Sequence, residues 1–261
     1  QIEQKLKEKW KCIKIKIGSL SFEKDLEILN LIRSKYSRSD IELRVDANGA
    51  FSKEEAKYKL KALSKFDLHS IEQPIMAGQW DALSDLCKTS PIPIALDEEL
   101  IQLVDSSNRE KMITKIKPQY IILKPSLLGG FSECEEWIAL AKKNRIGWWI
   151  TSALESNIGL NAIAQWTAKL KPKGYQGLGT GQLFLNNIPS PLSVNKGQLI
   201  SKAFPMIKEV QSFISAWFSL EKSFTFSTSG STGKPKSIFV KREWMKHSVE
   251  LTRKTFGLER G

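Results

Sequence analysis

The chain has 261 residues, 41% of them hydrophobic and 26% charged, which excludes a disordered chain and a small disulfide-stapled scaffold. Lys and Arg outnumber Asp and Glu by 40 to 28, a formal net charge of +12, and the last 61 residues carry 11 basic against 5 acidic side chains. No aromatic-interleaved basic stripe and no zinc-finger spacing accompanies that tail, so it reads as a solvated surface with no nucleic-acid partner. Cys12, Cys87 and Cys134 form no CxxC pair and read as reduced thiols of a cytoplasmic protein. No apolar run approaches the roughly eighteen residues that span a bilayer, so no membrane insertion is expected.

In chain order, Ile2–Trp10 reads as a helical piece. Short apolar, β-branched runs follow at Cys12–Ile17, Ile41–Val45, Leu68–Ile71 (weaker), Ile92–Leu96, Tyr120–Leu123 and Ile146–Ile150. Stretches with helical spacing separate several of them, at Phe22–Tyr36, Lys53–Phe66 and Ser132–Lys143. Near-continuous apolar strands alternating with amphipathic helices indicate a parallel sheet covered by helices. The polar or small residues that end the strands are Lys16, Asp46, Glu72, Asp97, Lys124, Ser152 and Gly179, spaced 30, 26, 25, 27, 28 and 27 residues apart. A strand–helix unit needs about thirty residues. Seven such units fit a (β/α) barrel better than an open sheet, and a doubly wound sheet stays open on spacing alone. Because the chain opens on a helix, the first barrel strand is expected to be missing, with the N-terminus read as a truncation.

In a barrel, strand C-termini converge on one mouth, where chemistry sits. Asp46, Glu72 and Asp97 would crowd three carboxylates there, an arrangement that calls for a cation. Hard oxygen donors suit Mg²⁺, with Mn²⁺ as a substitute. Lys14 and Lys16, two apart on one strand, face the same way. Mutual repulsion and partial burial are expected to depress a lysine pKa and provide a general base near neutral pH. Lys124 ends a strand across the barrel. Two lysines around a divalent cation suit removal of a proton next to a carboxylate, with the metal taking the enediolate charge. His69 and His247 read as structural.

Lys14-Ile15-Lys16, Asp46-Ala47-Asn48, Glu72-Gln73-Pro74, Leu96-Asp97-Glu98 and Leu123-Lys124-Pro125 together resemble the signature of the enolase superfamily, in the branch of muconate-lactonizing enzymes. Ser152–Gly159 and Gly177-Leu178-Gly179-Thr180 resemble, more narrowly, the o-succinylbenzoate synthase family of menaquinone biosynthesis. The resemblance implies a (β/α)7β-type barrel over residues 1–197, here without its first strand and without the family's N-terminal capping domain. It implies Mg²⁺ on Asp46, Glu72 and Asp97, with Asn48 and Glu98 holding those ligands. Lys16 would take the alpha proton and then protonate the leaving hydroxyl, a syn dehydration of a small-molecule carboxylate. Lys14 would tune Lys16, and Lys124 would stabilise the enediolate from the other face. Ser152, Gly179 and Thr180 would line the substrate pocket, and Glu155 would be a structural hydrogen-bonding residue.

Residues 198–222 read as a linker, with Phe213–Phe218 a short helix. Ser227–Lys236 is not a Walker A loop, which wants Gly at Thr228 and Ser or Thr at Pro235. It resembles the phosphate-binding loop of adenylate-forming enzymes, which implies that Thr228, Ser229, Gly230, Ser231, Thr232, Gly233 and Lys234 wrap phosphate. Residues 223–261, with a helix at Trp244–Phe256, resemble the start of an o-succinylbenzoate–CoA ligase of that family, which would use ATP only when its domain is complete. The rival readings are an N-acylamino-acid racemase or dipeptide epimerase on the same barrel, a nucleotide-binding fragment on a non-catalytic barrel, and a basic scaffold without an active site. The sequence does not determine the oligomeric state.

Overall fold

The computed structural model describes residues 2–101, 103, 105–181, 190–201, 215–216, 219, 222–227, 237–247 and 250. It divides into two compact units, residues 1–201 and 202–261. The first unit begins with helix α1 (Ile2–Lys7) and strand β1 (Cys12–Lys16). Next come α2 (Phe22–Lys35), β2 (Glu42–Asp46), α3 (Lys53–Leu63) with a 3₁₀ turn at Ser64–Phe66, and β3 (Ser70–Glu72). They are followed by α4 (Trp80–Thr89), β4 (Ile94–Leu96), α5 (Glu98–Ile101), α6 (Ser106–Ile116) and β5 (Tyr120–Leu123). The series closes with α7 (Phe131–Lys143), β6 (Gly147–Ile150) and α8 (Asn157–Leu170).

β1 to β6 form one parallel sheet in sequence order. The sheet's two faces follow from the two-residue side-chain period of a strand. Ile13, Leu43, Val45, Ile71, Ile94, Leu96, Ile121, Leu123 and Ile150 point to the helices and are buried in one large core with Leu29, Leu60, Met112, Trp137 and Ile163. Burial of this face against amphipathic helices is the main stabilising term. The residues between them point the other way, into the concave face. They are Lys14 and Lys16 on β1, Glu42, Arg44 and Asp46 on β2, Ser70 and Glu72 on β3, and a small apolar cluster of Ala95, Ile122 and Trp149. The curled sheet is therefore a half-barrel of the expected class, with its polar residues on the inside.

Local signals position these elements. Ser52 caps α3: its hydroxyl accepts from the Glu55 N–H at 3.2 Å, and the Glu55 carboxylate reaches back to the Ser52 N–H at 3.4 Å. This reciprocal box satisfies two otherwise unpaired helix donors. Ser52→Ala is expected to cost about 1 kcal/mol, read as a lower urea midpoint at unchanged slope.

Two expectations change. The seventh strand, expected to end at Gly179, is reduced to a single parallel bridge between Thr151 and Gly177. The run is glycine-rich, and glycine weakens a strand while allowing close approach. A side chain at Gly177 would collide with the Thr151 hydroxyl, and one at Gly179 would meet the Trp10 ring at 2.5 Å. The first unit also runs past Gly197. β7 (Leu192–Asn195) and β8 (Gln198–Ser201) pair as a hairpin, so residues 198–201, expected to open a linker, are strand. Lys196 and Gly197 both have positive φ, +49° and +73°, as the mirror-image turn of a two-residue hairpin requires.

In the second unit, β9 (Ser223–Ser227) and β10 (Ser237–Lys241) form an antiparallel hairpin, and residues 242–247 are helical. Arg242 lies over the buried Phe224 ring, 5.1 Å from its centroid, and donates to the carbonyls of Ala216 and Ser219. The Thr228–Lys234 loop lies outside the described residues, as do most of Phe213–Phe218 and the end of the Trp244–Phe256 helix.

Candidate active site

The mouth of the half-barrel is built by register. Lys16 is paired with Asp46, and Asp46 with Glu72, so the three sit level across β1, β2 and β3. Glu72 is paired with Ala95 on β4, and Asp97 follows two residues on, facing the same side. Asp46, Glu72 and Asp97 are each 1% exposed. Lys14 Nζ lies 2.9 Å from Asp46 Oδ2 and 2.7 Å from Glu72 Oε2. Lys16 Nζ lies 3.4 Å from Asp46 Oδ2 and also donates to Asn48 Oδ1. Lys124 forms an ion pair with Asp97. Asn48 donates from its amide to Glu98 Oε1 at 2.8 Å and from its backbone N–H to Asp46 Oδ1 at 3.0 Å. All eight candidate catalytic, metal and supporting residues thus meet at one mouth.

The electrostatics of the cluster are those of crowded buried carboxylates. Burial pushes Glu72 up to about 8; Lys14 opposes the shift, while the charges of Asp46 and Asp97 add to it. Burial also pushes Asp46 up, but Lys14, Lys16 and the Asn48 N–H together hold it below its ordinary value. The expected depression is not found at Lys14. Burial lowers its pKa, yet Glu72 and Asp46 together outweigh that cost and the net shift is upward. Repulsion between the two lysines does not dominate there, because two carboxylates lie in direct contact with the Lys14 ammonium and are poorly screened by solvent.

Whether these residues suit a divalent cation is a question of donor chemistry. Three buried carboxylates on adjacent strand ends are hard oxygen donors. Glu72 Oε1 and Glu98 Oε2 are buried with no hydrogen-bond partner among the described residues, and a cation on Glu72 would remove the cost at the first. Among the described residues no three acidic, His or Cys side chains are gathered so as to hold a metal as they stand; the ammonium groups of Lys14 and Lys124 lie against Asp46 Oδ2, Glu72 Oε2 and Asp97 Oδ2. The donor set fits Mg²⁺ or Mn²⁺ on condition that these lysines shift.

The substrate-side residues lie just past β6 and past the Thr151–Gly177 bridge. Ser152 Oγ and Thr180 Oγ1 are 2.7 Å apart, and Ser152 Oγ accepts the Leu154 N–H at 3.1 Å. A cavity of about 740 Å³ beside β1 brings Lys14 together with Gly179 and Thr180, over Trp10, Arg44 and Trp149. A second cavity of about 670 Å³, lined by Lys117, Tyr120 and Arg145 at the other end of the strands, holds none of the candidate residues. Glu155 accepts from both the Ala153 N–H and Ser126 Oγ, a structural use of its carboxylate. His69 packs against Tyr120 at 4.9 Å and burial lowers its pKa, while His247 is exposed in the second unit.

Sequence reasoning passed over the layer beneath the mouth. Arg44 is buried, held by Glu42 at 2.6 Å and stacked 4.1 Å over Trp149. The signal was available: Arg44 is two residues before Asp46, so it shares its face.

The profile of the family described as "Enolase C-terminal domain-like" matches residues 1–202. The chain belongs to that family. The chain is 57% identical to an o-succinylbenzoate synthase of Desulfotalea psychrophila over 199 residues, 76% of this chain and 54% of that protein. It is 28% identical to an L-amino acid-D/L-Glu epimerase of Francisella philomiragia, over 59% of this chain and 42% of that one. A crystal structure of MenC from Desulfotalea psychrophila superposes with a TM-score of 0.73 at 57% identity, covering 76% of this chain and 55% of the other. The chain therefore spans about half the length of the curated relatives it matches.

Proposed function

We propose that residues 1–201 form the catalytic barrel of a Mg²⁺-dependent o-succinylbenzoate synthase, acting in menaquinone biosynthesis. The substrate is 2-succinyl-6-hydroxy-2,4-cyclohexadiene-1-carboxylate. One observation carries the reading: Lys16, Asp46 and Glu72 stand level on three adjacent strands, with Lys14, Lys124 and Asp97 beside them. Identity of 57% to a synthase supports it. Asp46, Glu72 and Asp97 would hold Mg²⁺, which supplies a positive charge to offset the negative charge that grows on the substrate carboxylate as its alpha proton leaves. Lys16, at the exposed rim and oriented by Asn48, takes that proton. It then gives the proton to the departing hydroxyl on the same face, so that water leaves and the ring becomes aromatic. Lys14, displaced from Asp46 and Glu72 by the metal, would tune Lys16 and approach the substrate carboxylate, and Lys124 faces the ring from the β5 side. Ser152 and Thr180 offer hydroxyls to the succinyl carboxylate. We assign residues 223–261 to the start of an adenylate-forming ligase on the Ser227–Lys236 motif alone.

The test is turnover of this diene by the full-length protein in Mg²⁺, followed by loss of diene absorbance, run beside a dipeptide set monitored for alpha-proton exchange in D₂O. Dehydration with no dipeptide exchange supports the synthase. Exchange without dehydration replaces it with the epimerase reading, which the paired lysines Lys16 and Lys124 would also serve.

A further inference from the structure

We propose that Gln73 is a positioning residue that holds the three carboxylate-bearing loops in register for a divalent cation, a role that rests on the metal reading above. Gln73 is fully buried, at 0% exposure, yet its backbone is left-handed, with φ at +36°. A non-glycine residue there is strained by about 1–2 kcal/mol, and Gly or Asn would relieve the strain. A glutamine kept in this conformation points to a task for its side chain.

That task is visible in its bonds. The side-chain Oε1 accepts the backbone N–H of Asp97 at 3.3 Å and of Glu99 at 3.4 Å. Its Nε2 donates to the Ile75 carbonyl at 3.0 Å, fixing which way the amide points. The Gln73 backbone N–H donates to the Ala95 carbonyl on β4 at 2.9 Å, and its own carbonyl accepts from the Gly49 N–H at 2.7 Å. Gly49 belongs to the loop that carries Asp46 and Asn48, and it packs so tightly there that a side chain would meet the Met76 Cα at 2.9 Å. The side chain therefore ties the end of β3 at Glu72 to the Asp97–Glu99 backbone, and the main chain of the same residue joins that end to the Asp46 loop. Glu99 extends the brace: its carboxylate accepts from the Gly78 N–H at 3.0 Å and from the Trp80 indole at 2.5 Å. Gln73 touches neither substrate nor cation; it acts through the ligands.

The experiment is a Mn²⁺ titration of the full chain, reading free Mn²⁺ by electron paramagnetic resonance, with far-ultraviolet circular dichroism to confirm folding. Gln73→Met keeps the volume and removes the side-chain bonds; it should raise the Mn²⁺ dissociation constant about ten- to a hundredfold, as loss of a bracing partner commonly does. Should Gln73→Met fail to fold, Gln73→Asn carries the test. It suits the left-handed backbone better but is too short to reach Asp97, so it should lose affinity while folding well. Unchanged affinity in a folded Gln73→Met or Gln73→Asn overturns the positioning role alone. A wild-type chain that takes up no Mn²⁺ overturns the metal reading together with it.

Discussion

Lys16→Ala is expected to lower diene turnover roughly a thousandfold, the usual loss on removing a positioned general base, with little change in stability. The side chain is 68% exposed, so its removal leaves no cavity in the core. It gives up one 3.4 Å approach to Asp46 and one hydrogen bond to Asn48, both at the solvent-facing rim, where such contacts contribute about 1 kcal/mol or less. Lys14→Met is the instructive contrast. Lys14 is 35% exposed, and its two partners are 1% and 2% exposed. Taking the ammonium away strands Asp46 and Glu72 as buried neighbours of like charge; breaking a fully buried pair costs about 3–5 kcal/mol, and solvent screening of the part-exposed Lys14 brings the expected cost below that range. Proton uptake by Glu72, already pushed up to about 8 by burial, would trim that cost. A cation in the same place should trim it further, so Mg²⁺ is expected to recover part of the melting temperature lost by Lys14→Met. The two lysines thus separate on one pair of measurements, turnover and thermal melting. A Lys16→Ala protein that turns over normally removes the assignment of the base, and a Lys14→Met protein as stable as its parent in chelator removes the ion-pair account.

The division between what the sequence made legible and what it did not follows a physical line. Strand period and strand-end spacing are local, and they suffice to place Lys14, Lys16, Asp46, Glu72, Asp97 and Lys124 at one end of a parallel sheet. Two helix starts, Phe22 and Lys53, were also legible; each follows a serine whose side chain accepts from the first turn, a local signal. The sign of the Lys14 shift was not legible. It depends on how close two carboxylates from other strands approach, and burial and Coulomb attraction act in opposite directions there. The seventh strand was misjudged because Gly177, Gly179 and Gly181 carry no side chain by which to read a period; what they do reveal is close packing against Thr151, Trp10 and Leu160. The β7–β8 hairpin was missed although Asn195-Lys196-Gly197-Gln198 carries a turn signal, because a short antiparallel hairpin does not share the thirty-residue beat of the strands before it. Gln73 stood out only as part of a motif; its backbone angle and its two N–H partners across the sheet belong to tertiary structure.

The second large effect concerns the metal. Mg²⁺ is expected to raise the melting temperature of the full chain, and Glu72→Gln to abolish that rise. The stabilisation follows from mass action: an ion that binds only the folded state contributes about 2.7 kcal/mol at a hundredfold excess over its dissociation constant. Glu72 is the variant of choice because of its position. It is paired in register with Asp46 on one side and Ala95 on the other, so it is the central carboxylate of the three, and its Oε1 has no hydrogen-bond partner among the described residues. The amide introduced by Glu72→Gln has nearly the same shape as the carboxylate, which limits repacking, and it carries no charge. In chelator the variant is therefore expected to melt near the parent: Lys14 loses one of its two anions but keeps Asp46 at 2.9 Å, and the cost of burying a crowded carboxylate disappears. Glu54→Gln, an exposed change in the first turn of α3, is the control that should keep the full Mg²⁺ response. Differential scanning calorimetry of the three proteins, each in Mg²⁺ and in EDTA, gives six melting temperatures that separate loss of binding from loss of fold. A Mg²⁺-induced rise in Glu72→Gln equal to that of the parent would place the ion elsewhere, and the proton-abstraction chemistry assigned to Lys16 would lose the charge on which it depends.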